Sequence, residues 1–136
     1  MDKPMNFTTE KAIYLQIADR LCDEILTGKF ADDERIPSVR EYAVLLQVNA
    51  NTAVKSYDQL ASAGIIYNRR GLGYFVTPGA RQRILDGRRR EFMECQLPAM
   101  FRRMRMLGIS IDEVVKAYDD HPEPPETKER HASENK

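Results

Sequence analysis

Long apolar runs are missing from this sequence, and no stretch approaches the roughly 20 residues that a membrane-spanning helix requires. The first residues also lack the basic and then apolar pattern of a secretory signal. Two cysteines, Cys22 and Cys95, are too few for a disulfide framework. We therefore expect a cytoplasmic protein that does not bind membranes.

Clusters of metal-ligating or catalytic side chains are missing as well. Neither cysteine has a second Cys or a His at metal-ligand spacing, so we expect no metal site and no cofactor. Both histidines, His121 and His131, lie in the charged C-terminal stretch, and Cys95 has no candidate catalytic partner. The sequence therefore excludes an enzyme and offers no catalytic residue, while Cys22 is expected in the core of the first helix.

Net charge is lacking too, since 21 basic residues balance 21 acidic ones in a chain of 136. A zero total argues at first against a nucleic-acid partner, but the charges are unevenly distributed. Residues 80–118 carry an excess of basic side chains, and residues 119–136 carry an excess of acidic ones. What matters for nucleic-acid binding is whether the basic residues among residues 1–79 share one surface.

Apolar periodicity predicts two helices near the start of the chain. Residues 13–27 repeat apolar side chains every four positions, and Gly28 is well placed to end this helix in a left-handed cap. Ser38 and Glu41 form a capping-box pattern that opens a short second helix over residues 39–46.

A third helix and a hairpin follow. After a tight turn, Asn49 is a suitable N-cap for a helix over residues 50–63. Residues 65–67 and 74–76 are β-branched and aromatic, and the basic, glycine-containing segment between them favours a β-hairpin. The order helix, helix, turn, helix, hairpin is that of a winged helix-turn-helix domain, which we place at residues 8–79.

The second half of the chain begins with a long predicted helix over residues 80–107. Its apolar residues are spaced four, three, four and three apart, which is a heptad-like seam suited to packing against another helix. Pro98 lies inside this helix and should bend or break it. The predicted dimerisation residues are Met93, Leu97, Met100, Met104 and Leu107.

Ser110 and Glu113 form a second capping-box pattern, which opens a last helix that continues to Tyr118. Beyond it, residues 119–136 are charged, Pro-rich and poor in apolar side chains, and we expect them to be disordered. The predicted fold class is therefore mainly α with a small β-hairpin. The winged helix-turn-helix domain is followed by a short two-helix dimerisation extension over residues 80–118.

Two stretches of the first domain resemble the GntR family of bacterial transcription regulators, and the resemblance runs over residues 13–76. IPSVREYA (36–43) is similar to the family's Leu-Pro-Ser-x-Arg-Glu-Leu-Ala run, and GLGYFV (71–76) is similar to its Gly-x-Gly-x-Phe-Val wing ending. A pair of short helices after this domain is similar to the YtrA subfamily, whose extension mainly supports dimerisation. The resemblance implies a homodimeric repressor on an inverted-repeat DNA operator, and members of the subfamily often control ABC-transporter operons.

The DNA-contacting residues are predicted from this resemblance together with the docking of a helix-turn-helix domain. The start of the third helix would meet base edges in the major groove, where Ala50 or Thr52 could contact a thymine methyl group. The start of the second helix and the hairpin tip would meet phosphates or the minor groove. The predicted DNA-binding residues are Ser38, Arg40, Asn49, Asn51, Thr52, Lys55, Arg69, Arg70, Gly71 and Gly73.

Three positions depart from the family pattern. Many relatives have a base-reading arginine where this chain has Ala50, although the subfamily often has proline there. A polar or basic residue is common where this chain has Val54, and a wing lysine or arginine is usual where it has Leu72. Fewer direct base contacts follow, so the operator sequence is not predicted.

Each assignment has a plainer alternative. Arg40 could pair with an acidic neighbour, and Asn49 could only cap its helix. The two arginines of the hairpin tip could simply be solvated. The apolar seam could pack within one subunit instead of between two.

A winged-helix domain can also serve as a protein-interaction module. Such a module should expose an apolar face on the third helix, whereas Asn51, Thr52 and Lys55 make this face polar and basic.

The sequence identifies no small-molecule effector. Met93, Met100 and Met104 could line a small apolar pocket for one, because methionine adapts to varied shapes. A plain packed seam is the simpler interpretation of the same three residues.

Overall fold

The computed structural model describes residues 11–123, and these divide into two compact units between Arg90 and Glu91. In chain order the elements are α1 (Ile13–Leu26), α2 (Val39–Leu46), α3 (Ala50–Ser62), β1 (Ile66–Arg69), β2 (Gly73–Val76), α4 (Ala80–Glu91), a π-helical turn (Phe92–Gln96), α5 (Leu97–Leu107) and α6 (Ile111–Asp120). The mainly helical fold with one antiparallel hairpin is confirmed. None of the described helices is both long and apolar enough to cross a bilayer.

Helix α1 is amphipathic because apolar residues recur every fourth position. Ile17, Leu21 and Ile25 are all buried on one side of it. The helix ends one residue earlier than predicted, at Leu26, and Gly28 adopts a φ of +89° just beyond it. The N–H groups of Gly28 and Lys29 donate to the carbonyls of Ile25 and Glu24, which is the paired bonding of a Schellman cap.

Helices α2 and α3 begin where their caps predict. The Glu41 N–H donates to the Ser38 hydroxyl at 3.0 Å, and the Ser38 N–H donates to the Glu41 carboxylate at 2.9 Å. The Ser38 N–H at the carboxylate, together with the Ser38 hydroxyl, holds the pKa of Glu41 below its ordinary value. The Asn51 N–H donates to the Asn49 side-chain oxygen at 2.7 Å, so Asn49 caps α3. Both predicted N-caps are confirmed.

The core of the first unit gathers one side of each helix against the hairpin. Cys22 is buried there as expected, and its burial raises the pKa of the thiol to about 11. The largest fully buried side chains are Tyr42, Tyr57, Ile17, Leu21, Ile36, Leu46, Ile66 and Val76.

Three tyrosines link the helices to the hairpin. The Tyr57 ring meets the Tyr42 ring edge-on at 6.1 Å between centroids and the Tyr74 ring edge-on at 5.1 Å. The Tyr57 hydroxyl donates to the Pro37 carbonyl at 2.6 Å, and the Tyr42 hydroxyl donates to Glu24 at 2.8 Å. Burial raises the pKa of both hydroxyls, which therefore remain protonated donors.

The hairpin is longer than predicted at the wing tip and starts one residue later. Its register pairs Ile66 with Val76 and Arg69 with Gly73. Ile65 falls outside β1 because its N–H donates to the Leu60 carbonyl and closes the end of α3.

The segment before α2 pairs with the outer side of the hairpin through one isolated β-bridge. The Ile36 N–H donates to the Tyr74 carbonyl and the Val76 N–H donates to the Glu34 carbonyl, both at 3.0 Å. Arg35 bridges to Phe75 between these two bonds. The start of α2 is thereby fixed to the wing by backbone hydrogen bonds.

Helix α4 lies in the first unit up to Arg90. Ala80 and Ile84 are part of the first unit's core, and Arg88 pairs with Asp23 at 2.7 Å. The first compact unit thus includes most of the first helix that follows the predicted boundary at Gly79. The predicted start of the domain at residue 8 lies outside the described residues.

The second unit contains α5 and α6. Pro98 lies in the first turn of α5, directly after the π-helical turn. A proline lacks the N–H that an α-helical bond would need, and the wider turn accommodates that loss without ending the helix. The Ser110–Glu113 capping box is confirmed, and α6 runs two residues past Tyr118, through Asp120. Of the predicted disordered tail over residues 119–136, the structure describes residues 119–123, and the remainder lies outside the described residues.

Replacing Tyr57 with phenylalanine tests the tyrosine cluster. The variant keeps the ring but loses the bond to the Pro37 carbonyl, so the free energy of unfolding should fall by about 1 kcal/mol. Urea unfolding followed by circular dichroism measures this change in the free energy of unfolding. Tyr14→Phe is the control, because that hydroxyl has no hydrogen-bond partner among residues 11–123, and an equal loss in both variants would contradict the prediction.

Candidate nucleic-acid interface

The exposed side of α3 begins directly after the Asn49 cap. Helical periodicity buries Ala53, Ser56, Tyr57 and Leu60 and leaves the opposite side open to solvent. The exposed residues on that side are Ala50, Asn51, Val54, Lys55 and Asp58, with Thr52 half-buried beside them.

Ser56 fixes α3 against α1 and was not predicted. Its hydroxyl is fully buried, donating to the Tyr14 carbonyl at 2.7 Å and lying 3.2 Å from the Thr52 carbonyl. The small serine lets the two backbones approach closely while its only polar group is satisfied. A serine among the buried positions of an apolar stripe is the one signal that could have indicated this contact.

Lys55 lies over the first turn of α1. Its ammonium group is 6.0 Å from the centroid of the Tyr14 ring, at the outer limit of a cation–π contact. Asp58 follows one turn later on the same side of α3. Its negative charge would repel phosphate there, so the surface suited to nucleic acid ends near Lys55.

The start of α2 presents Arg40 to solvent. Ser38 uses its hydroxyl in the capping box and so positions the helix terminus, while Arg40 is the second residue of the helix and is exposed. Arg40 forms no ion pair with the residues between 11 and 123. An acidic partner for Arg40, the plainer alternative above, is thus not present in this part of the chain.

The wing tip carries two exposed arginines and two glycines with positive φ. The Arg69 guanidinium lies 5.5 Å from the Phe75 ring centroid, and Arg70 is the next residue. Gly71 has a φ of +78° and Gly73 a φ of +112°, values that side chains other than glycine rarely adopt.

Arg35 supports the wing tip from beneath and was also missed. Its Nε–H donates to the Leu72 carbonyl at 3.0 Å. A Cβ atom at Gly73 would lie 3.0 Å from the same Nε, so a larger residue there would require the Arg35 side chain to move by a few tenths of an ångström as well as a strained backbone. Nothing in the local sequence predicts this contact, because 37 positions separate the two hydrogen-bonded residues.

All the predicted DNA-binding residues lie in the first unit, at three places: the start of α2, the start of α3 and the hairpin. None of them belongs to the hydrophobic core. Ser38 and Asn49 have their side-chain oxygens engaged in helix caps, so they position the two helix starts. The outward-facing side chains are those of Arg40, Asn51, Lys55, Arg69 and Arg70.

The predicted dimerisation residues lie in the second unit with different exposures. Met104 is buried within its own chain and Leu97 is half-buried, while Met93, Met100 and Leu107 are exposed. Met93 lies inside the π-helical turn, and Leu97 follows that turn as the first residue of α5.

An apolar groove of about 450 Å³ runs between α5 and α6. Met100 and Met104 line it, and Met93 does not. The pocket of three methionines suggested by the sequence thus has two of its members here. The residues around the groove are Gln96, Ala99, Met100, Arg103, Met104, Leu107, Ile109 and Val114.

Gly73→Ala tests the wing. An alanine with this positive φ is strained, and its Cβ must also displace Arg35, so we expect a loss of about 1–3 kcal/mol in the free energy of unfolding. Gly71→Ala is the matched control, because its φ is also positive but its Cβ would enter open space. Thermal unfolding should place Gly73→Ala clearly below Gly71→Ala, and equal stability of the two would refute the steric role of Arg35.

Comparison with known proteins places residues 13–76 in the sequence family described as "Bacterial regulatory proteins, gntR family". The chain is 32% identical over 110 residues to the uncharacterized HTH-type transcriptional regulator YhcF of Bacillus subtilis, covering 81% of this chain and 89% of that protein. It is 34% identical over 76 residues to the HTH-type transcriptional repressor YtrA of the same organism, covering 56% of this chain and 58% of YtrA.

Solved structures show the same likeness. A structure from Bacteroides thetaiotaomicron, described as a GntR-family transcriptional regulator, is 50% identical with a TM-score of 0.71 and covers 80% of this chain and 95% of that one. The DNA-binding domain of AraR, solved in complex with operator ORX1, is 25% identical with a TM-score of 0.51. That match covers 56% of this chain and 96% of the AraR domain.

Proposed function

We propose, from the premise that this chain belongs to the GntR family of bacterial transcription regulators, that it is a repressor whose homodimer binds an inverted-repeat DNA operator. Family membership rests on the match to YhcF over most of both chains. The likeness to YtrA supports the YtrA subfamily. The chain is thus a DNA-binding transcription regulator and not an enzyme, and a chromosomal operator implies that it acts in the cytoplasm.

The exposed start of α3 is the observation that carries the DNA contact. Asn51 and Lys55 project from the first two turns of a helix held rigidly by the tyrosine cluster and by Ser56. Asparagine can bind adenine through two hydrogen bonds in the major groove, and lysine can bind guanine. A protein-binding face would instead need a continuous apolar surface at this place.

Several acidic side chains of the first unit, though not Asp58, have partners within the chain, which supports DNA binding by a protein without net charge. Glu41 and Glu34 accept hydrogen bonds from backbone N–H groups. Asp23 and Glu24 lie in ion pairs. Asp33 accepts from a tyrosine hydroxyl.

The basic residues at the proposed interface, in contrast, have no acidic partner among the residues that the structure describes. Arg40 and Arg70 are exposed without an acidic partner in the described part of the chain, and Arg69 only contacts an aromatic ring. Phosphate contacts depend on such available cations and not on the total charge. We therefore assign phosphate or minor-groove contacts to these three arginines.

The second unit supports a homodimer, because it buries so little of its own apolar surface. Among the large apolar residues of this unit that the structure describes, only Met104 is buried. An apolar surface of this extent marks an interaction site, and a second copy is the commonest partner for it. The exposed residues are Phe92, Met93, Met100, Met106, Leu107, Ile109, Ile111, Val115 and Tyr118.

A two-fold symmetric dimer would present two copies of α3 to two half-sites about one helical turn apart, ~34 Å. Repression is proposed because YtrA of Bacillus subtilis is named a repressor. Control of an ABC-transporter operon follows only from the resemblance to the YtrA subfamily.

Selection of bound sequences from a random duplex library, at two salt concentrations, tests this function directly. An enriched inverted repeat supports the dimeric regulator and gives the operator. Failure to enrich any sequence, with affinity that is flat in salt, would refute it and favour a protein-interaction module.

Arg40→Ala should weaken operator binding and lower the slope of log affinity against log salt by about 1, because one phosphate contact is lost. Fluorescence anisotropy over a salt series measures both. Arg89→Ala is the control, since Arg89 is an exposed arginine of α4 with no contact in the described chain. The same change in both variants would mean that only total charge matters.

Leu107→Glu should weaken the dimer at least about tenfold, because a leucine buried at an interface contributes about 1.5–3 kcal/mol. Sedimentation velocity over a concentration series measures the association. Arg102→Glu is the control, because Arg102 is an exposed residue of α5 outside both the predicted seam and the exposed apolar residues. A dimer that tolerates the Leu107 change as well as the Arg102 change would contradict the place of Leu107 in the interface.

A further inference from the structure

Val54 is an apolar residue on the side of α3 that faces solvent. Its side chain is 41% exposed, and it does not belong to the hydrophobic core or to the apolar residues packed on that core. Its neighbours on the exposed side are Asn51, Lys55 and Asp58, all polar. Val54 therefore contributes little to folding and stands in the middle of the surface proposed to meet DNA.

Ala50 extends this apolar spot toward the start of the helix. It precedes Val54 by four positions, so the two side chains lie one above the other along the same side of α3. Ala50 is exposed at the first position of the helix. Together the two residues form a narrow apolar strip beside Asn51 and Lys55.

The floor of the major groove offers one apolar partner for such a strip. Thymine carries a C5 methyl group there, whereas the other exposed base edges are hydrogen-bond donors and acceptors. Cytosine carries only a hydrogen atom at C5, so at the same place it would leave valine without a methyl group to pack against.

We propose that Val54, supported by Ala50, selects for thymine by packing against its C5 methyl group in each operator half-site. This inference rests on the proposed function and names part of its sequence specificity. Asn51 and Lys55 then read the polar edges of neighbouring bases, and Val54 supplies discrimination that hydrogen bonding cannot.

Thymine-to-uracil replacement is the test, because it removes only the methyl group. The probe is the highest-affinity duplex from the random-library selection, with each thymine replaced in turn by deoxyuridine. The wild-type chain should lose about fourfold in affinity at one or two positions in a half-site, the effect of one buried methyl group. Replacing the symmetric positions in both half-sites should multiply the losses.

A variant of the protein tests whether Val54 is the residue that contacts the methyl group. Val54→Ala should bind the thymine duplex more weakly and should no longer distinguish thymine from uracil at that position. Val54→Thr retains one methyl group and should keep part of the distinction. Val44→Ala is the control, because Val44 is 74% exposed on α2 and outside α3, so its thymine-to-uracil ratio should equal that of the wild type.

The outcomes separate this inference from the proposed function. Enrichment of an inverted repeat with the same thymine-to-uracil ratios in wild type and Val54→Ala would overturn the role of Val54 and leave the regulator intact. A selection that enriches no sequence would overturn the proposed function and, with it, this inference.

Discussion

The hydrogen bond from the Tyr57 hydroxyl to the Pro37 carbonyl joins α3 to the residue just before the α2 cap. The same ring packs edge-on against Tyr74 of the wing. The Tyr57 side chain thus helps to orient α3, the helix proposed to read DNA, relative to the start of α2 and to the wing, the two places that carry exposed arginines. Backbone hydrogen bonds already join the start of α2 to the wing, so Tyr57 adds α3 to two places that are held together, and a DNA duplex requires that all three share one geometry.

Local signals in the sequence account for what could be predicted. The capping boxes at Ser38 and Ser110, and the Asn49 cap, involve residues two or three positions apart, and all three appear in the structure. Contacts between distant residues were missed. Arg35 bonds to Leu72 and Ser56 bonds to the Tyr14 carbonyl, and neither pairing leaves a periodic trace in the sequence.

The boundaries between elements also depend on contacts that local sequence signals do not indicate. β1 starts one residue later than predicted because the Ile65 N–H completes the cap of α3, so one backbone group cannot serve both elements. The heptad spacing did not indicate the π-helical turn, in which Met93, the first member of the predicted seam, lies. The roles of the predicted site residues in DNA binding and dimerisation are properties of a complex, and they stay predictions.

The side chains at residues 50, 54 and 72 determine how the proposed interface would divide affinity from specificity. Where basic or polar residues are common in the family, this chain has Ala50, Val54 and Leu72. Fewer cations leave Arg40 and the wing arginines to supply most of the salt-dependent affinity. Base discrimination then rests on a few polar atoms and on apolar contact, whose energy is nearly independent of salt. Raising the salt concentration should therefore weaken binding to all sequences while leaving the preference among them largely unchanged.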